Sequence, residues 1–356
     1  MIPMDLDNQQ SIDHIDTSDM FHILNSFPEQ IKQTIELMNN QPLPKIYNIK
    51  NIVIAGMGGS AISGDLLQSY LLSRYNIPIY VNRDYSLPRW VNKHTLVFAQ
   101  SYSGNTEETL SAFKNASEKK AAIIAITSGG KLQTYCERRK LPYITIPSGY
   151  PPRTTIGYLF FISLLSLQKI GIYQHSLEKP IQETIQLSKE TTASFHKDIC
   201  TENNPAKKIA RSLFETMPHI YGWDIYSSLA KRWVTQFNEN SKILARYAQI
   251  PESNHNDIVG WSGNQKISKH CSCVLFRDKQ RETPSLSTRF EFMKKLFSTS
   301  AAKTIEVDVQ GKQDLTKMIY LLQLGDYVSF YLAILRNIDP TPVMIIDQLK
   351  TELEKL

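Results

Sequence analysis

A glycine-rich stretch near the start of the chain combines residue types that suit phosphate binding. It reads Gly-Met-Gly-Gly-Ser-Ala over residues 56–61 and follows an apolar run, so we expect it to join a strand to a helix. Glycine lets backbone N–H groups approach an anion, and a helix N-terminus attracts negative charge. Gly59 and Ser60 are therefore candidate phosphate-binding residues. The same letters fit a dinucleotide-binding fingerprint, with Asp84 in the place of a ribose ligand, and they fit a tight turn that binds nothing.

A second loop carries three hydroxyl side chains around a predicted helix start. Ser101, Ser103 and Thr106 can each donate to a phosphate oxygen beside the N–H groups of a first helical turn. No lysine or arginine is needed in the loop. A helix cap formed by one of these side chains is the alternative interpretation, and capping can coexist with phosphate binding. A dinucleotide-binding fold does not need this second loop, so the two loops together favour a phosphorylated ligand.

Both loops lie within an alternation of strand-like and helix-like segments that is typical of βαβ units. Helices are predicted to begin after residues 59–60, 104–105 and 129–130. Their N-termini should line one edge of a parallel sheet, where open α/β folds bind ligands. The strands predicted in this first half are residues 52–55, 96–99, 121–126 and 143–146.

A second set of alternating segments follows a break rich in proline and glycine. Its predicted strands are residues 220–222, 273–276 and 305–309, and its predicted helices are 206–216, 226–247, 287–297 and 317–335. The pattern predicts an α/β protein with two similar domains, each a mainly parallel sheet flanked by helices, and extra helices at both termini. The predicted segments are an N-terminal helical segment at 1–45, a first domain at 46–170, a connecting helical segment at 171–204, a second domain at 205–338 and a C-terminal helix at 339–356.

Composition argues against several other classes of protein. The 40 lysines and arginines and 34 acidic residues give a net charge of +6, spread along the chain without the basic arm typical of nucleic-acid binding. Four cysteines do not make a disulfide framework, which fits a cytoplasmic protein. No signal peptide is recognised, and the longest apolar run, residues 158–167, is too short to span a membrane. His270 and Cys271 invite a metal interpretation, but residues 271–276 read as a strand, so neither metal nor other cofactor is predicted.

Residues 101–109, Ser-Tyr-Ser-Gly-Asn-Thr-Glu-Glu-Thr, resemble the phosphosugar loop of sugar-isomerase (SIS) domains. Five later stretches of the sequence make the resemblance specific to one family. They are residues 238–242 (Asn-Glu-Asn-Ser-Lys), 254–261 (Asn-His-Asn-Asp-Ile-Val-Gly-Trp), 325–331, 339–340 and 349–350. In this order they resemble the bifunctional phosphoglucose/phosphomannose isomerase family, which implies two SIS-type domains. The family pattern leads us to expect glutamate at position 257, where this chain has Asp257. We expect this difference to have no consequence for the chemistry.

The resemblance implies an activity and a set of catalytic residues. The activity is interconversion of fructose 6-phosphate with glucose 6-phosphate, and with mannose 6-phosphate, by proton transfer through an enediolate without metal. Glu239 is then the base that moves the proton between C1 and C2, a task that suits a carboxylate. His255 opens the sugar ring and Lys350 lies near the ring oxygen. Arg153 places positive charge beside the enediolate oxygens.

The resemblance also implies partners. The expected substrates are the three phosphosugars, and the expected assembly is a homodimer in which His255 enters the site from the partner subunit. A non-catalytic SIS protein that senses a phosphosugar is the alternative function, and an NAD-dependent enzyme is a more distant one. Neither a nucleic acid nor a membrane is expected as a partner.

Overall fold

The computed structural model describes residues 3–263, 265–353 and 355. Within those residues nine strands form two sheets. The strands are β1 Asn51–Ala55, β2 Ile79–Asn82, β3 Thr95–Gln100, β4 Ala122–Thr127, β5 Tyr143–Thr145, β6 Met217–Trp223, β7 Arg246–Ile250, β8 Cys271–Arg277 and β9 Lys303–Asp308.

The same described residues form fifteen α-helices. They are α1 Gln9–Ile15, α2 Met20–Asn25, α3 Phe27–Asn40, α4 Gly58–Leu71, α5 Glu107–Glu118, α6 Gly130–Arg139, α7 Ile156–Lys169, α8 Glu178–Ser194, α9 Pro205–Leu213, α10 Ser227–Gln236, α11 Asp257–Trp261, α12 Gln265–Ser268, α13 Pro284–Ser300, α14 Asp314–Leu335 and α15 Met344–Leu353.

The chain divides into two compact units. The first unit consists of Ser26–Gln186 with Lys312–Thr316, and it contains β1 to β5. The second unit consists of the chain up to Asn25, Leu187–Gly311 and the chain from Lys317 onwards, and it contains β6 to β9. The division into five segments that the sequence predicts remains a prediction.

The sheet of the first unit is parallel throughout, in the order β2-β1-β3-β4-β5. Val53 and Val97 face the side covered by α5 and α6, where Phe113 and Leu132 are fully buried. On the opposite face, α4 approaches the strands so closely that a Cβ on Gly64 would lie 2.8 Å from the Ile54 side chain. Because helices cover both faces, the strands are almost continuously apolar, as the sequence indicates.

The sheet of the second unit is also parallel, in the order β7-β6-β8-β9. This order repeats that of β2-β1-β3-β4 in the first unit. Trp233 of α10 is fully buried and donates from Nε1 to the Leu321 carbonyl of α14 at 2.8 Å. A Cβ on Gly325 would lie 2.2 Å from the same nitrogen, so glycine is what allows α10 and α14 to pack this closely.

The predicted α/β class with two parallel sheets is confirmed, and each strand predicted from the sequence is present. Strands β2 and β7 were not predicted. The prediction of one helix over 226–247 is wrong, because α10 ends at Gln236 and a single π-helical turn, Phe237–Ser241, follows it. The chain then leaves the helix at Lys242, whose φ of 54° lies in the left-handed region that commonly ends helices.

Helix α14 meets the length and composition expected of a membrane-spanning helix. It has 22 residues, and 94% of its most apolar window is buried inside the protein. That degree of burial is what the central helix of a packed core shows.

Candidate active site

The two loops singled out from the sequence leave neighbouring strands of the first sheet. Residues 56–57 follow β1 and residues 101–106 follow β3, and β1 and β3 pair in parallel. The chain passes from β1 outward to β2 and then returns to β3 on the other side of β1. Such a switch point opens a crevice at the carboxyl ends of the strands. The fold therefore brings both loops to the place where an open α/β sheet binds ligands.

The loop after β3 concentrates hydroxyl groups. Ser101 is buried, and its Oγ lies 2.8 Å from Thr106 Oγ1. Ser103 is exposed, and its Oγ accepts a hydrogen bond from the Asn105 amide at 3.2 Å. Thr106 is the N-cap residue of α5, yet its side chain makes no capping hydrogen bond. The capping interpretation therefore fails for Thr106, and the first-turn N–H groups of α5 lack a side-chain cap that would compete with an anion.

The loop after β1 is built from glycine where the two loops approach each other. A Cβ on Gly56 would lie 3.0 Å from the Gln100 carbonyl oxygen, which is tighter than ordinary packing allows. Ser60 is buried in the first turn of α4, next to Gly59. The N-cap residue of α4, Met57, makes no side-chain capping bond either. Two helices of 12 and 14 residues thus present uncapped N-termini at this edge.

Gln100 is a buried residue that the sequence interpretation missed. Its side chain accepts from Ser63 Oγ of α4 and donates to Ser163 Oγ of α7 at 2.6 Å. The Ser63 hydroxyl also lies 2.6 Å from the Ser60 carbonyl. Gln100 therefore links the end of β3 to α4 and α7, which fixes the two loops relative to each other. Its signal in the sequence was a polar residue at the end of the otherwise apolar run of β3.

Arg153 lies on a short 3₁₀ turn, Pro152–Thr154, that packs against the loop after β1. A Cβ on Gly59 would come within 3.2 Å of the Arg153 Cα, and Arg153 is only 2% exposed. Burial is costly for a guanidinium unless negative charge or acceptors are near it. The arginine backbone is therefore fixed beside the predicted phosphate loop.

Tyr102 joins the other loop to the same segment. Its hydroxyl accepts a hydrogen bond from the Tyr150 amide at 2.8 Å and donates to the Pro147 carbonyl at 3.1 Å. Burial raises the pKa of Tyr102 above its ordinary value, so the hydroxyl stays protonated at neutral pH. Both loops are thus braced by the chain that leads to Arg153.

Glu239 lies in the π-helical turn at the end of α10, not in a regular helix. Isolated π turns of this kind are frequent at functional sites. Its neighbours are anchored to α14, since Asn240 donates to Ser329 Oγ at 2.9 Å and Ser241 donates to the Ser329 carbonyl at 2.6 Å. The Lys242 ammonium group donates to the Glu239 carbonyl oxygen and so closes the turn. The turn holds the backbone of Glu239 firmly, and the residue is half-buried.

His255 ends a 3₁₀ turn, Glu252–His255, that follows β7. Its side chain is exposed and makes no hydrogen bond or ion pair with the described residues. Asn256 caps α11 by accepting from the Asp257 amide at 2.6 Å. The imidazole is therefore presented to solvent from a well-anchored loop.

Lys350 lies on α15, the last helix, and is exposed. Its ammonium group lies 3.2 Å from Asp347 Oδ1 in an exposed pair one helical turn apart. No residue of α15 is buried among the described residues of the helix. The structure does not place Lys350 beside another predicted site residue of its own unit.

In the second unit, Glu239 and His255 lie on turns at opposite ends of one strand. Helix α10 connects the parallel neighbours β6 and β7, so it runs back from the carboxyl ends of these strands to their amino ends. The turn with Glu239 precedes β7, whereas His255 follows it. The five residues of β7 span roughly 16 Å at ~3.3 Å per residue. The turn with Glu239 and the turn with His255 therefore join β7 at its opposite ends.

Of the residues that invited a metal interpretation, Cys271 lies on β8 and His270 directly precedes that strand. Cys271 and Cys273 are buried with free thiols on β8, and burial raises the pKa of both. In the described part of the chain, no group of three or more histidine, cysteine or acidic side chains is placed to hold a metal ion.

Parallel sheets of this order, with glycine and hydroxyl loops at a switch point, define a SIS-domain protein. Residues 45–140 match the SIS domain model, and residues 202–353 match the model described as the bacterial phospho-glucose isomerase C-terminal SIS domain. The crystal structure of a hypothetical protein from Thermus thermophilus has the same fold. Its TM-score is 0.74 at 15% identity, covering 98% of this chain and 94% of that chain.

The chain belongs to the bifunctional phosphoglucose/phosphomannose isomerase family, which confirms the resemblance. The enzyme of that name from Caldicellulosiruptor bescii is 39% identical over 339 residues, 95% of this chain and 99% of that protein. The one from Aquifex aeolicus is 33% identical over 307 residues, 86% of this chain and 91% of that protein. The D-glucosamine-6-phosphate 4-epimerase of Sulfolobus acidocaldarius is 32% identical over 241 residues, 67% of this chain and 72% of that protein.

Proposed function

We propose that this protein interconverts fructose 6-phosphate with glucose 6-phosphate and with mannose 6-phosphate, without a metal ion or other cofactor. The observation that carries the proposal is the switch-point edge of the first sheet. There the N–H groups of two uncapped helix N-termini and the Ser101 and Thr106 hydroxyls can donate hydrogen bonds to a terminal phosphate. Gly59, Ser60 and Ser103 complete the proposed phosphate-binding set. The named activity of relatives up to 39% identical supports the choice of sugar phosphates.

The proposed reaction moves one proton between adjacent carbons. Glu239 takes a proton from C1 of open-chain fructose 6-phosphate, which gives an enediolate with negative charge on its oxygens. Arg153 stabilises that charge. Glu239 then returns the proton to C2 while the hydroxyl proton on O1 moves to O2, so that O1 becomes the aldehyde oxygen and O2 becomes a hydroxyl. Delivery to one face of C2 gives glucose 6-phosphate, and delivery to the other gives mannose 6-phosphate.

Two further residues are proposed to act on the ring form of the substrate. His255 transfers a proton at the ring oxygen, a task that suits an imidazole side chain. Lys350 is proposed to lie near the same oxygen when substrate is bound. We also propose that the enzyme is cytoplasmic. Its sugar-phosphate substrates belong to glycolysis and gluconeogenesis.

The first test is isomerisation of fructose 6-phosphate in the presence of a metal chelator, with glucose 6-phosphate and mannose 6-phosphate resolved as products. We expect both products, together with incorporation of solvent deuterium at C2. Removing a catalytic base costs on the order of 10³-fold, so Glu239→Gln should lose about that much of kcat. Glu36→Gln, an exposed change on α3, is the matched control and should leave kcat unchanged.

Other outcomes separate the alternatives. Binding of fructose 6-phosphate without turnover would favour the non-catalytic phosphosugar sensor. Turnover of D-glucosamine 6-phosphate alone would favour the reaction for which the Sulfolobus relative is named. Activity that disappears with chelator and returns with a divalent cation would contradict the metal-free mechanism.

We also propose a two-fold homodimer in which His255 serves the partner subunit. The attachment of Glu239 and His255 to opposite ends of β7 supports this arrangement, since a second copy can supply the second group. Glu239→Gln and His255→Ala homodimers should each be inactive. Mixing the two under exchange conditions should restore activity, because a hybrid has one site with neither substitution. Mixed samples that form hybrids and stay inactive would contradict the proposal.

A further inference from the structure

The segment around His255 is anchored on both sides of the histidine. Asn254 Oδ1 accepts a hydrogen bond from the Arg289 guanidinium of α13 at 3.3 Å. Asn256 donates to Glu252 Oε1 at 2.7 Å and caps α11. These bonds hold the loop backbone, and the His255 side chain between them stays exposed.

Asp257 connects this loop to the sheet. Its carboxylate is 7% exposed and accepts a hydrogen bond from the Tyr221 hydroxyl of β6 at 2.6 Å. The Arg246 guanidinium of β7 pairs with the other carboxylate oxygen. Both adjacent strands therefore hold the residue that lies two positions after His255.

The Tyr221 hydroxyl is fully committed to this connection. It accepts a hydrogen bond from Trp261 Nε1 at 2.8 Å while it donates to Asp257. Burial raises the pKa of Tyr221 well above its ordinary value, and the neighbouring Asp257 carboxylate adds to the rise. The tyrosine hydroxyl therefore stays protonated at neutral pH and can act as a donor. Trp261 is the last residue of α11, so the chain of bonds begins and ends in the His255 segment.

We propose that Asp257, held by Tyr221 and Arg246, is a positioning residue that fixes His255 for opening of the sugar ring. The proposal rests on the role given to His255 above. A buried carboxylate with two fixed donors has one stable arrangement, since any other leaves a buried polar group unpaired. The aspartate that departs from the family pattern thus has a structural partner for each of its oxygens.

Tyr221→Phe is the central variant because it removes one hydroxyl and keeps the ring. The second sheet supplies a matched control in Tyr226, which is equally buried and donates to the Asp278 carboxylate at the same distance, 2.6 Å. Tyr226→Phe removes the same atom from the same kind of bond, away from the His255 loop. Arg246→Met removes the second donor at a partly exposed position, so it tests the same link with little risk to folding.

The readout separates ring opening from proton transfer. A misplaced catalytic group costs roughly ten- to a hundredfold, so Tyr221→Phe and Arg246→Met should lower kcat/KM for fructose 6-phosphate at least tenfold. The compound 5-deoxyfructose 6-phosphate has no 5-hydroxyl and cannot close its ring. With this substrate both variants should keep wild-type rates, whereas Glu239→Gln should lose activity on both substrates.

A double variant gives a second measurement on the natural substrate. If Tyr221 acts through His255, then His255→Ala with Tyr221→Phe should be no slower than His255→Ala alone. Tyr226→Phe should leave kcat/KM unchanged. Equal effects of Tyr221→Phe and Tyr226→Phe, or additive losses in the double variant, would overturn the positioning role. An inactive wild type, or a fully active His255→Ala variant, would instead contradict the proposed function.

Discussion

The two sheets share one strand order, yet the loop after β3 and the loop after its counterpart β8 have opposite characters. In the first sheet the loops after β1 and β3 contain glycine and hydroxyl residues, and the helices that follow have no side-chain caps. In the second sheet the loop after β8 is filled with ion pairs. Arg277 Nε lies 2.8 Å from Glu282 Oε1, and Lys317 Nζ lies 2.9 Å from Asp278 Oδ2, with all four side chains buried.

The charged side chains at the loop after β8 pair with each other. Burial opposes ionisation of Glu282, but its hydrogen bonds to Arg277 and Ser287 outweigh burial and lower its pKa. The helix after this loop is capped, since Thr283 Oγ1 accepts from the Leu286 amide at 3.3 Å. A cleft of about 240 Å³ opens there, but its buried charges already pair with each other.

The comparison shows that strand order alone does not make a binding site. The same topology leaves first-turn donors uncapped after β3, whereas after β8 the helix is capped and the buried charges are paired. Loop composition decides between the two, because a phosphate can bind only where N–H and O–H groups are not already committed.

The largest expected effect comes from removing the two hydroxyl groups at the carboxyl edge of the first sheet. Ser101→Ala with Thr106→Ala should lower kcat/KM for fructose 6-phosphate on the order of 10³-fold, or about 4 kcal/mol, since each bond to a charged phosphate is worth about 2 kcal/mol. Inhibition by inorganic phosphate should weaken in parallel.

The matched control removes the same two atoms from the equivalent loop of the second sheet. Thr283→Ala with Ser287→Ala should leave kcat/KM and phosphate inhibition unchanged. If this control weakened phosphate inhibition as much as the first-edge variant, the contrast between the two edges would be lost.

A smaller effect should appear as acid sensitivity of the second unit. His219 of β6 is buried against Trp261, and neither ring nitrogen has a hydrogen-bond partner within the described residues. Burial, with a contribution from Arg246, lowers its pKa to about 4 from the ordinary value of 6.5. The unfolded chain therefore binds a proton at this histidine below pH 6.5, whereas the folded chain does so only near pH 4.

Stability should accordingly fall as the pH falls through this window. Between pH 7 and pH 5 the loss due to His219 should be about 2 kcal/mol in the free energy of unfolding, measured with urea. His219→Phe keeps an aromatic ring on Trp261 and should remove that part of the pH dependence. His175→Phe, a change at an exposed histidine, should retain it. An unchanged pH dependence in His219→Phe would show that the imidazole is not buried as described.

The smallest effect concerns the two threonines at the N-caps of α5 and α13. Thr283→Ala should lower the free energy of unfolding by about 1 kcal/mol, because it removes a capping bond. Thr106→Ala should change stability by only about 0.3 kcal/mol, since its side chain does not cap α5. Chemical denaturation of the two single variants makes the comparison. A larger loss in Thr106→Ala than in Thr283→Ala would mean that the Thr106 hydroxyl stabilises the fold more than the capping bond of Thr283 does, through its contact with Ser101 Oγ or through a cap.

Much of the fold and part of the site could be predicted from local sequence. The buried strands were visible as apolar runs, and residues 56–61 and 101–109 were visible as turns that open helices. Strands β2 and β7 were missed because their side chains alternate in exposure or face solvent, as Tyr80 and Tyr247 do. The helix over 226–247 was overextended, because helical periodicity does not reveal the left-handed Lys242 that ends it.

The sequence by itself determined the α/β class, the two phosphate-type loops and the family, since each depends on residues close together in the chain. The tertiary structure decided what those residues can reach. It placed Gln100 beneath both loops, attached Glu239 and His255 to opposite ends of β7, and paired Asp257 with Tyr221. These relations join residues 16 to 63 positions apart. They depend on strand order and side-chain packing, which local propensity does not encode.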